Sequence, residues 1–415
     1  MAWASLGPVS GPLVFVIPTR NRADIAKVSL RSVLAARAPN VRVVVSDNSI
    51  DPAEAEALRA ACAELADKRV RYVRPPEPMT MTDHWAWALD QTLEDPSVEH
   101  VSYLTDRMVL RRGELGHVLA AIETAPAHVV SYNHEHIDDV HDPVRVVPNE
   151  WSGRLLAIPS RALIVTAARG ERPMAAPRML NTVVPRTVLE AVRARFGSVF
   201  ASASPDFAFA FRALATVEEI AFLDRPVLFE HSTRRSNGSS VTRGIASADG
   251  ADFSKLVGDA LYAHAPVPQL QTISNAVFSE YCFVRAEAPE AFPPLLRHDY
   301  LATIARDVGE IEDPALAERT SAQLRALGWT ARDEWQRRAR IIASLVRFYA
   351  PRPHAAAQSV LRGVGGARSE GARLAPSSEA AIADLEARPV PPCDHGRLLR
   401  HLVNSGARLE VLGRP

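Results

Sequence analysis

The sequence predicts an α/β fold, a mostly parallel sheet flanked by helices with a helical C-terminal extension, and three observations carry that expectation. Strand-length runs recur at Leu13 to Ile17, Val41 to Ser46, Val70 to Val73, His100 to Leu104 and His128 to Tyr132. Helix-period segments separate them near Pro52 to Ala66, Met81 to Leu93 and Gly113 to Glu123, the alternation of βαβ units. Polar residues gather just past the first two strands, and open α/β sheets bind ligands beyond the carboxyl ends of their strands.

The first run, Leu13 to Ile17, is continuously apolar, as suits a strand covered by helices on both faces. Pro18 ends it, and Thr19, Asn21 and Arg22 follow at the tip. Arg22 to Ala36 reads as a helix, with Asn21 as its cap, Ile25, Val28 and Val33 facing the sheet, and Ser29 and Ser32 keeping the packing close. The second strand ends in Asp47 and Asn48. A carboxylate at Asp47 can accept from a base imide N–H or a ribose hydroxyl, so this opening reads as a nucleotide-binding domain that presents a base and a diphosphate.

From Pro143 to Pro177 prolines punctuate short apolar runs, as expected of antiparallel strands. A helix is expected near Pro185 to Arg195 and another near Asp206 to Ala215, then two closing strands, Ile220 to Leu223 and Val227 to Phe229, around Asp224-Arg225-Pro226. Ala, Leu, Arg and Glu patterns predict helices from Phe253 to Ala350, and a Gly, Ser, Pro and Arg-rich stretch beyond them reads as a linker.

The 415 residues exceed a typical single core, so one large domain with an accessory region is expected. Lys plus Arg equals Asp plus Glu at 48 each, which argues against a nucleic-acid partner. Cys62, Cys282 and Cys393 are too few and scattered for a disulfide framework and fit a reducing cytoplasm. The N-terminal segment lacks the pattern of a signal peptide. No stretch approaches the ~20 apolar residues of a membrane span, so a cytoplasmic chain is expected, with peripheral contact at the inner membrane face as the alternative. For that contact the basic, aromatic helix Trp335 to Tyr349 is the candidate.

Five motifs come in a telling order: PTRNR from Pro18, SDNS from Ser46, MTDHWAWAL from Met81, YLTDR from Tyr103 and SPDFAFAFRAL from Ser204. In that order and approximate spacing the chain resembles the family 2 glycosyltransferases of the GT-A fold, over roughly Pro12 to Ser240. The resemblance implies a tail at 1–12, then a GT-A domain at 13–245, with a nucleotide-binding half at 13–132 and an acceptor-side half at 133–245. A helical accessory region at 250–350, a linker at 351–376 and a C-terminal segment at 377–415 would follow. It also implies inverting transfer of a sugar from a nucleotide diphosphate sugar to a glycan, lipid-linked or small-molecule acceptor, in bacterial surface glycan or glycoconjugate synthesis. The competing expectation is a noncatalytic nucleotide-sugar-binding or scaffold protein.

By the same resemblance Asp206 matches the catalytic base, at the start of a helix whose N-terminus favours the ionised carboxylate. Pro18, Thr19, Asn21, Arg22, Asp47, Asn48, Asp106 and Arg107 would bind the donor, joined by Arg234 and Arg235 from a flexible loop, Ser232 to Ser240. Family members hold Mn²⁺ or Mg²⁺ with two or three aspartates after the fourth strand, but here one carboxylate precedes a guanidinium, Asp106-Arg107. Either Asp106 binds the cation with His231 as helper, or Arg107 and its neighbours neutralise the leaving group directly. His84 stands where relatives often carry Asn, and Trp85 reads as core. The cluster Asn133 to Asp139, with His141, reads as a polar loop at the acceptor opening, the alternative being an extended segment that sets His134, His136 and Asp138 on one face as metal ligands.

Overall fold

The computed structural model describes residues 11–146, 148–336, 339, 373–393, 402 and 407–415, the side chain of residue 249 excepted. The first half runs β1 (Leu13–Thr19), α1 (Ala23–Leu34), β2 (Val41–Asp47), α2 (Pro52–Leu65), β3 (Val70–Val73), α3 (Met81–Leu93) and β4 (His100–Tyr103). Its strands pair in parallel in the order β3-β2-β1-β4. Every residue of β1 is buried, as its unbroken apolar run requires. The register sets Thr19 beside Asp47, so both strand tips reach the same sheet edge.

Helix α1 buries Ala26, Ser29, Leu30 and Val33, while Val28, expected against the sheet, is exposed. Two residues beyond Ala26, Val28 lies about 200° round the helix. Asn21 does not cap α1. It adopts the left-handed conformation, φ 54°, and its side-chain oxygen instead accepts the N–H groups of Ile50 and Asp51, at 2.9 and 3.0 Å. The free Ala23 N–H is taken by Glu54 of α2, at 2.8 Å.

The second half contains β5 (Met108–Leu110), α4 (Leu115–Thr124), β6 (Val130–Asp138), β7 (Val144–Val146), β8 (Leu155–Pro159), α5 (Ser160–Ala168), β9 (Thr182–Pro185), α6 (Arg186–Phe196), α7 (Pro205–Thr216) and β10 (Glu219–Glu230). The sheet continues β4-β9-β6-β10-β8. Strand β9 is antiparallel to both neighbours, and β6 and β10 resume the direction of β1 to β4. The result is the mixed, mostly parallel central sheet flanked by helices that the sequence predicts.

Two expectations change here. The closing strands around Asp224-Arg225-Pro226 are one strand, β10, with register shifts on either side of Pro226. A bulge lets a residue without an N–H sit in a paired strand. The stretch Asn133 to Asp138 is no loop but the second half of β6, held by β10 as far as Glu230 opposite His136, and only Asp139 lies in the turn that follows. Backbone pairing outweighs its polar composition, and period-two alternation sends His134 and His136 to one face and Glu135 to the other.

Helices α8 (Asn237–Arg243), α9 (Ala248–Val257), α10 (Ile273–Glu287), α11 (Arg297–Val308) and α12 (Pro314–Ala326) follow. Helix α10 joins the main core: Tyr281 meets Phe211 of α7 and Phe292 edge-on, with ring centroids 5.4 and 5.3 Å apart, and Glu287 holds the buried Arg212 with two bonds. Near the C-terminus, β11 (Arg373–Ala375) pairs with β7, and β12 (Glu410–Gly413) adds an edge strand on β8. Arg373 to Ala375 were expected in the linker; pairing with β7 makes them a strand. The tail 1–10, linker residues 351–372 and, apart from Trp335, Gln336 and Ala339, the helix expected at Trp335 to Tyr349 lie outside the described residues. Among the described residues no helix is long and apolar enough to cross a membrane.

Candidate active site

The carboxyl ends of β1, β4, β6 and β10, the start of α7, and α8 to α10 surround one cavity of about 960 Å³. Pro18, Thr19, Asn21, Arg22, Asn48, Asp106, Arg107 and Asp206 all line it, so most of the residues marked in the sequence converge. The exceptions are Asp47, Arg234, Arg235 and His231.

Asp47 is fully buried behind the cavity wall. Its oxygens accept the Tyr72 hydroxyl at 2.7 Å and the Ser49 N–H at 2.9 Å, and Asn48 takes the lining position. The strand tip turns inward because β3 runs beside β2 and offers Tyr72 and Arg74, the latter 3.8 Å away. Segment Ser232 to Ser240 is a short 3₁₀ turn leading into α8 rather than an open loop. Arg235 is paired outward with Asp24 at 2.7 Å, and Arg234 is bonded to Asp139 and Val140. Ser236 and Asn237 reach the cavity instead, and Asn237 accepts from Arg22 at 2.6 Å.

On the nucleotide side, Ser29 of α1 donates to the Asp106 carbonyl at 2.7 Å, and Ser32 accepts the Leu110 N–H at 2.9 Å. These small hydroxyls let α1 approach closely and hold the Asp106 turn against it. The Asp106 carboxylate accepts the Thr19 hydroxyl at 2.9 Å and meets the Arg22 guanidinium at 3.5 Å. His84 is buried with Nε2 2.8 Å from the Ser46 hydroxyl, and burial pushes it down to about 4, so it is neutral. Trp85 is core as expected, its ring tilted against Tyr103 and edge-on to Phe200.

A cation site built by this protein does not fit these residues. Arg22 already supplies positive charge at Asp106. His231 is buried, its Nδ1 lies 2.9 Å from the Ser232 hydroxyl, and its Nε2 has no hydrogen-bond partner among the described residues. One carboxylate and one imidazole fall short of the several oxygens a hard divalent cation takes. Among the described residues no group of three or more His, Cys, Asp and Glu gathers to supply the rest.

Opposite lies a chain of charge the sequence did not reveal. Arg107 pairs with Glu230 at 2.6 Å, Glu230 faces His134 Nε2 at 3.3 Å, and that nitrogen is 3.4 Å from Arg178. Burial alone would push the Glu230 carboxyl up, but Arg107, with His134 and His136, outweighs it and holds Glu230 well below the usual range. Arg178 lies over the Phe207 ring, 5.4 Å from its centroid, beside Asp206. Asp206 opens α7 after Pro205. Burial raises its carboxyl above the ordinary value against the pull of Arg178 and of its own and the Phe207 N–H groups. The helix end does favour the charged form, as expected, but depth in the cleft outweighs it.

Glu280 of α10 holds the segment before Asp206. One carboxyl oxygen accepts the Ser204 N–H at 2.9 Å and the Ser202 hydroxyl at 3.0 Å, while the other has no hydrogen-bond partner among the described residues. Burial pushes this carboxyl up to about 8. The folded protein therefore keeps a proton here that the unfolded chain releases above about 4.5, so this group's contribution to stability falls as pH rises from about 4.5 to about 8. Glu280→Gln, which keeps the shape without the charge, is expected to lose that slope, gaining on the parent between pH 5 and pH 8 in denaturant melts. Parallel curves for the two proteins would contradict it.

With this geometry in view, the comparison with known families is decisive: residues 14–167 match the model for Glycosyl transferase family 2. Those residues form a family 2 glycosyltransferase domain. The match covers β1 through most of α5, hence Thr19, Arg22, Asp106 and Arg107, and stops before Asp206. No curated protein matches the sequence. Among solved structures, S. aureus TarS 1-349 aligns at 13% identity with a TM-score of 0.41, covering 74% of this chain and 83% of that one. The same TarS fragment in complex with UDP aligns at 13% and 0.42, covering 75% and 88%.

The residues missed from sequence lie beyond the glycosyltransferase domain's matched span, save Arg20 within it. Arg172, Arg178 and Glu230 carry charge into the cavity, and Asp252 of α9 pairs with Arg20 at 3.1 Å. Glu230 stood next to His231 in the sequence, so strand alternation from Phe229 was a signal for it. Arg172 and Arg178 had none.

Proposed function

We propose that this chain is an inverting glycosyltransferase that moves a sugar from a nucleotide diphosphate sugar to an acceptor hydroxyl, in bacterial surface glycan or glycoconjugate synthesis. The observation that carries the reading is the convergence of Asp206, from beyond the family match, with Thr19, Arg22 and Asp106 on one cavity. Asp206 takes the hydroxyl proton, the oxygen bonds to the anomeric carbon from one side, and the bond to the diphosphate breaks on the other. Arg22 and Arg107 stand where the departing diphosphate gathers charge, and fixed guanidinium donors in a partly dry cleft stabilise it. No step is routed through a metal. Asn48 and the tip of β1 hold the nucleotide.

A second reading, a noncatalytic nucleotide-sugar-binding protein, draws on the single carboxylate at Asp106. A thermal-shift screen of UDP-, GDP- and TDP-sugars, with and without Mn²⁺, followed by turnover assays, separates the two. The cognate donor at 100 times its Kd should stabilise the native state by about 2.7 kcal/mol, with a rise that does not require Mn²⁺. Binding followed by neither hydrolysis nor transfer, with any acceptor or metal, would favour the second reading. A shift that appears only with Mn²⁺ would show that the diphosphate recruits a cation this protein cannot hold alone.

A further inference from the structure

We propose that Arg172 and Arg178 form an oxyanion subsite on the acceptor side of the cavity, so that the acceptor carries a phosphate or carboxylate close to the hydroxyl that reacts. The inference rests on the transferase reading for the word acceptor, and on the following geometry for the site.

Arg20, Arg22 and Arg107 also line the cavity, but each is matched by a carboxylate: Asp252 at 3.1 Å, Asp106 at 3.5 Å and Glu230 at 2.6 Å. Arg178 forms no such pair among the described residues, the carboxyl beside it being that of the base, Asp206. Its contacts are a histidine nitrogen at 3.4 Å and the Phe207 ring. Arg172, among the described residues, makes neither a hydrogen bond nor an ion pair, and its side chain is exposed to the cavity.

The acids near Arg172 are engaged elsewhere or stand at the surface. Asp307 caps α10, accepting the Ser274 N–H at 2.7 Å and the Ser274 hydroxyl at 3.0 Å. Glu310 is exposed. Arg172 also borders a polar recess of about 140 Å³ with His136, Arg243, Asp307 and Glu310. Burial pulls the Arg172 guanidinium down from its ordinary value, with Arg306 and Arg178 acting in the same direction and Asp307 and Glu310 against it. An arginine stays charged in such a place, so two cations that form no ion pair among the described residues face one cavity, beside the Asp206 carboxyl.

Their backbone is held in place. Gly170, at φ +81°, sits so close to α11 that a Cβ there would lie 1.8 Å from the Thr303 hydroxyl, and Arg306 donates to its carbonyl at 3.1 Å. Neither arginine belongs to the nucleotide side, whose polar atoms come from β1, β2 and the turn after β4. Both come from the segment between α5 and β9, and Arg178 lies beside the Asp206 carboxyl. An oxyanion bound there lies within a sugar's or polyol's length of the base, and the planar guanidinium fork suits phosphate and carboxylate alike.

The test is a calorimetric titration of the full chain, saturated with the nucleoside diphosphate the shift screen selects, using sn-glycerol 3-phosphate, glycerate and glycerol. The two acids should bind and the neutral polyol should not, with the comparison of the acids separating phosphate from carboxylate. Arg172→Gln and Arg178→Gln should each weaken that binding at least about tenfold, the loss expected for a charged hydrogen bond, and leave nucleoside diphosphate affinity within about twofold. Equal binding of acids and polyol would overturn the proposal. So would variants that lose the nucleoside diphosphate instead, which would assign the arginines to the leaving group. Acid binding without donor turnover would fail the transferase reading and keep the subsite.

Discussion

Asp206→Asn is expected to lower kcat by about 10² to 10⁴, the range for losing a positioned general base, while donor affinity stays within about twofold. The amide keeps the size of the side chain and the start of α7, so loss of transfer with intact binding isolates proton removal. The pH profile sharpens the test. Burial raises the Asp206 carboxyl above its ordinary 3.8, and only the ionised form can accept a proton. Activity is therefore expected to fall as pH drops through that raised value, above the range of an exposed aspartate. Arg178 is the cation that most opposes the rise, so Arg178→Gln should move the acidic limb further up. An Asp206→Asn protein with unchanged turnover would remove the assigned base, and a limb that stays put in Arg178→Gln would remove its electrostatic partner.

Phe200→Ala should cost about 3–5 kcal/mol, the usual range for emptying a packed aromatic site. Phe200 is buried against Trp85, Tyr103 and Phe209, with centroid separations of 5.5, 5.3 and 6.1 Å. Trp85 belongs to α3, Tyr103 to β4 and Phe209 to α7, so this ring sets the helix that carries Asp206 against the strand that leads to Asp106. Tyr103 adds a hydrogen bond to the Trp85 carbonyl at 2.7 Å. A denaturant melt should show the loss as a lower midpoint, and kcat should fall further than folded fraction explains because α7 shifts over the cavity left behind. A midpoint within error of the parent would show that α3 and α7 are held apart from this cluster.

How far the sequence spoke for itself differs from part to part. The parallel half was legible because its signals are local: an unbroken apolar run for β1, turn residues after it, helical spacing in between. The position of β9 was not, since its pairing with β4 and β6 is decided by strands more than forty residues away in sequence. The polar face of β6 misled for the same reason. Asn133 to Asp139 has the composition of a loop, yet β10 pairs Asn133 to His136 and β7 pairs Ile137 and Asp138, and hydrogen bonding satisfied by a distant strand such as β10 leaves no mark nearby.

At the site, motif order alone brought Thr19, Arg22, Asp106, Arg107 and Asp206 to attention, and the fold gathers all five on one cavity. What the sequence by itself determined is therefore the presence of the strand-tip polar groups and of a carboxylate opening α7, because strand ends and helix starts are written in adjacent residues. Only the tertiary structure decided which charges are spent and which are available. Asp47 is consumed by Tyr72, Arg234 and Arg235 face outward, Glu230 is claimed by Arg107, and Arg172 forms no ion pair among the described residues. Charge pairing acts across space between residues that chain order does not relate, so it is settled by packing.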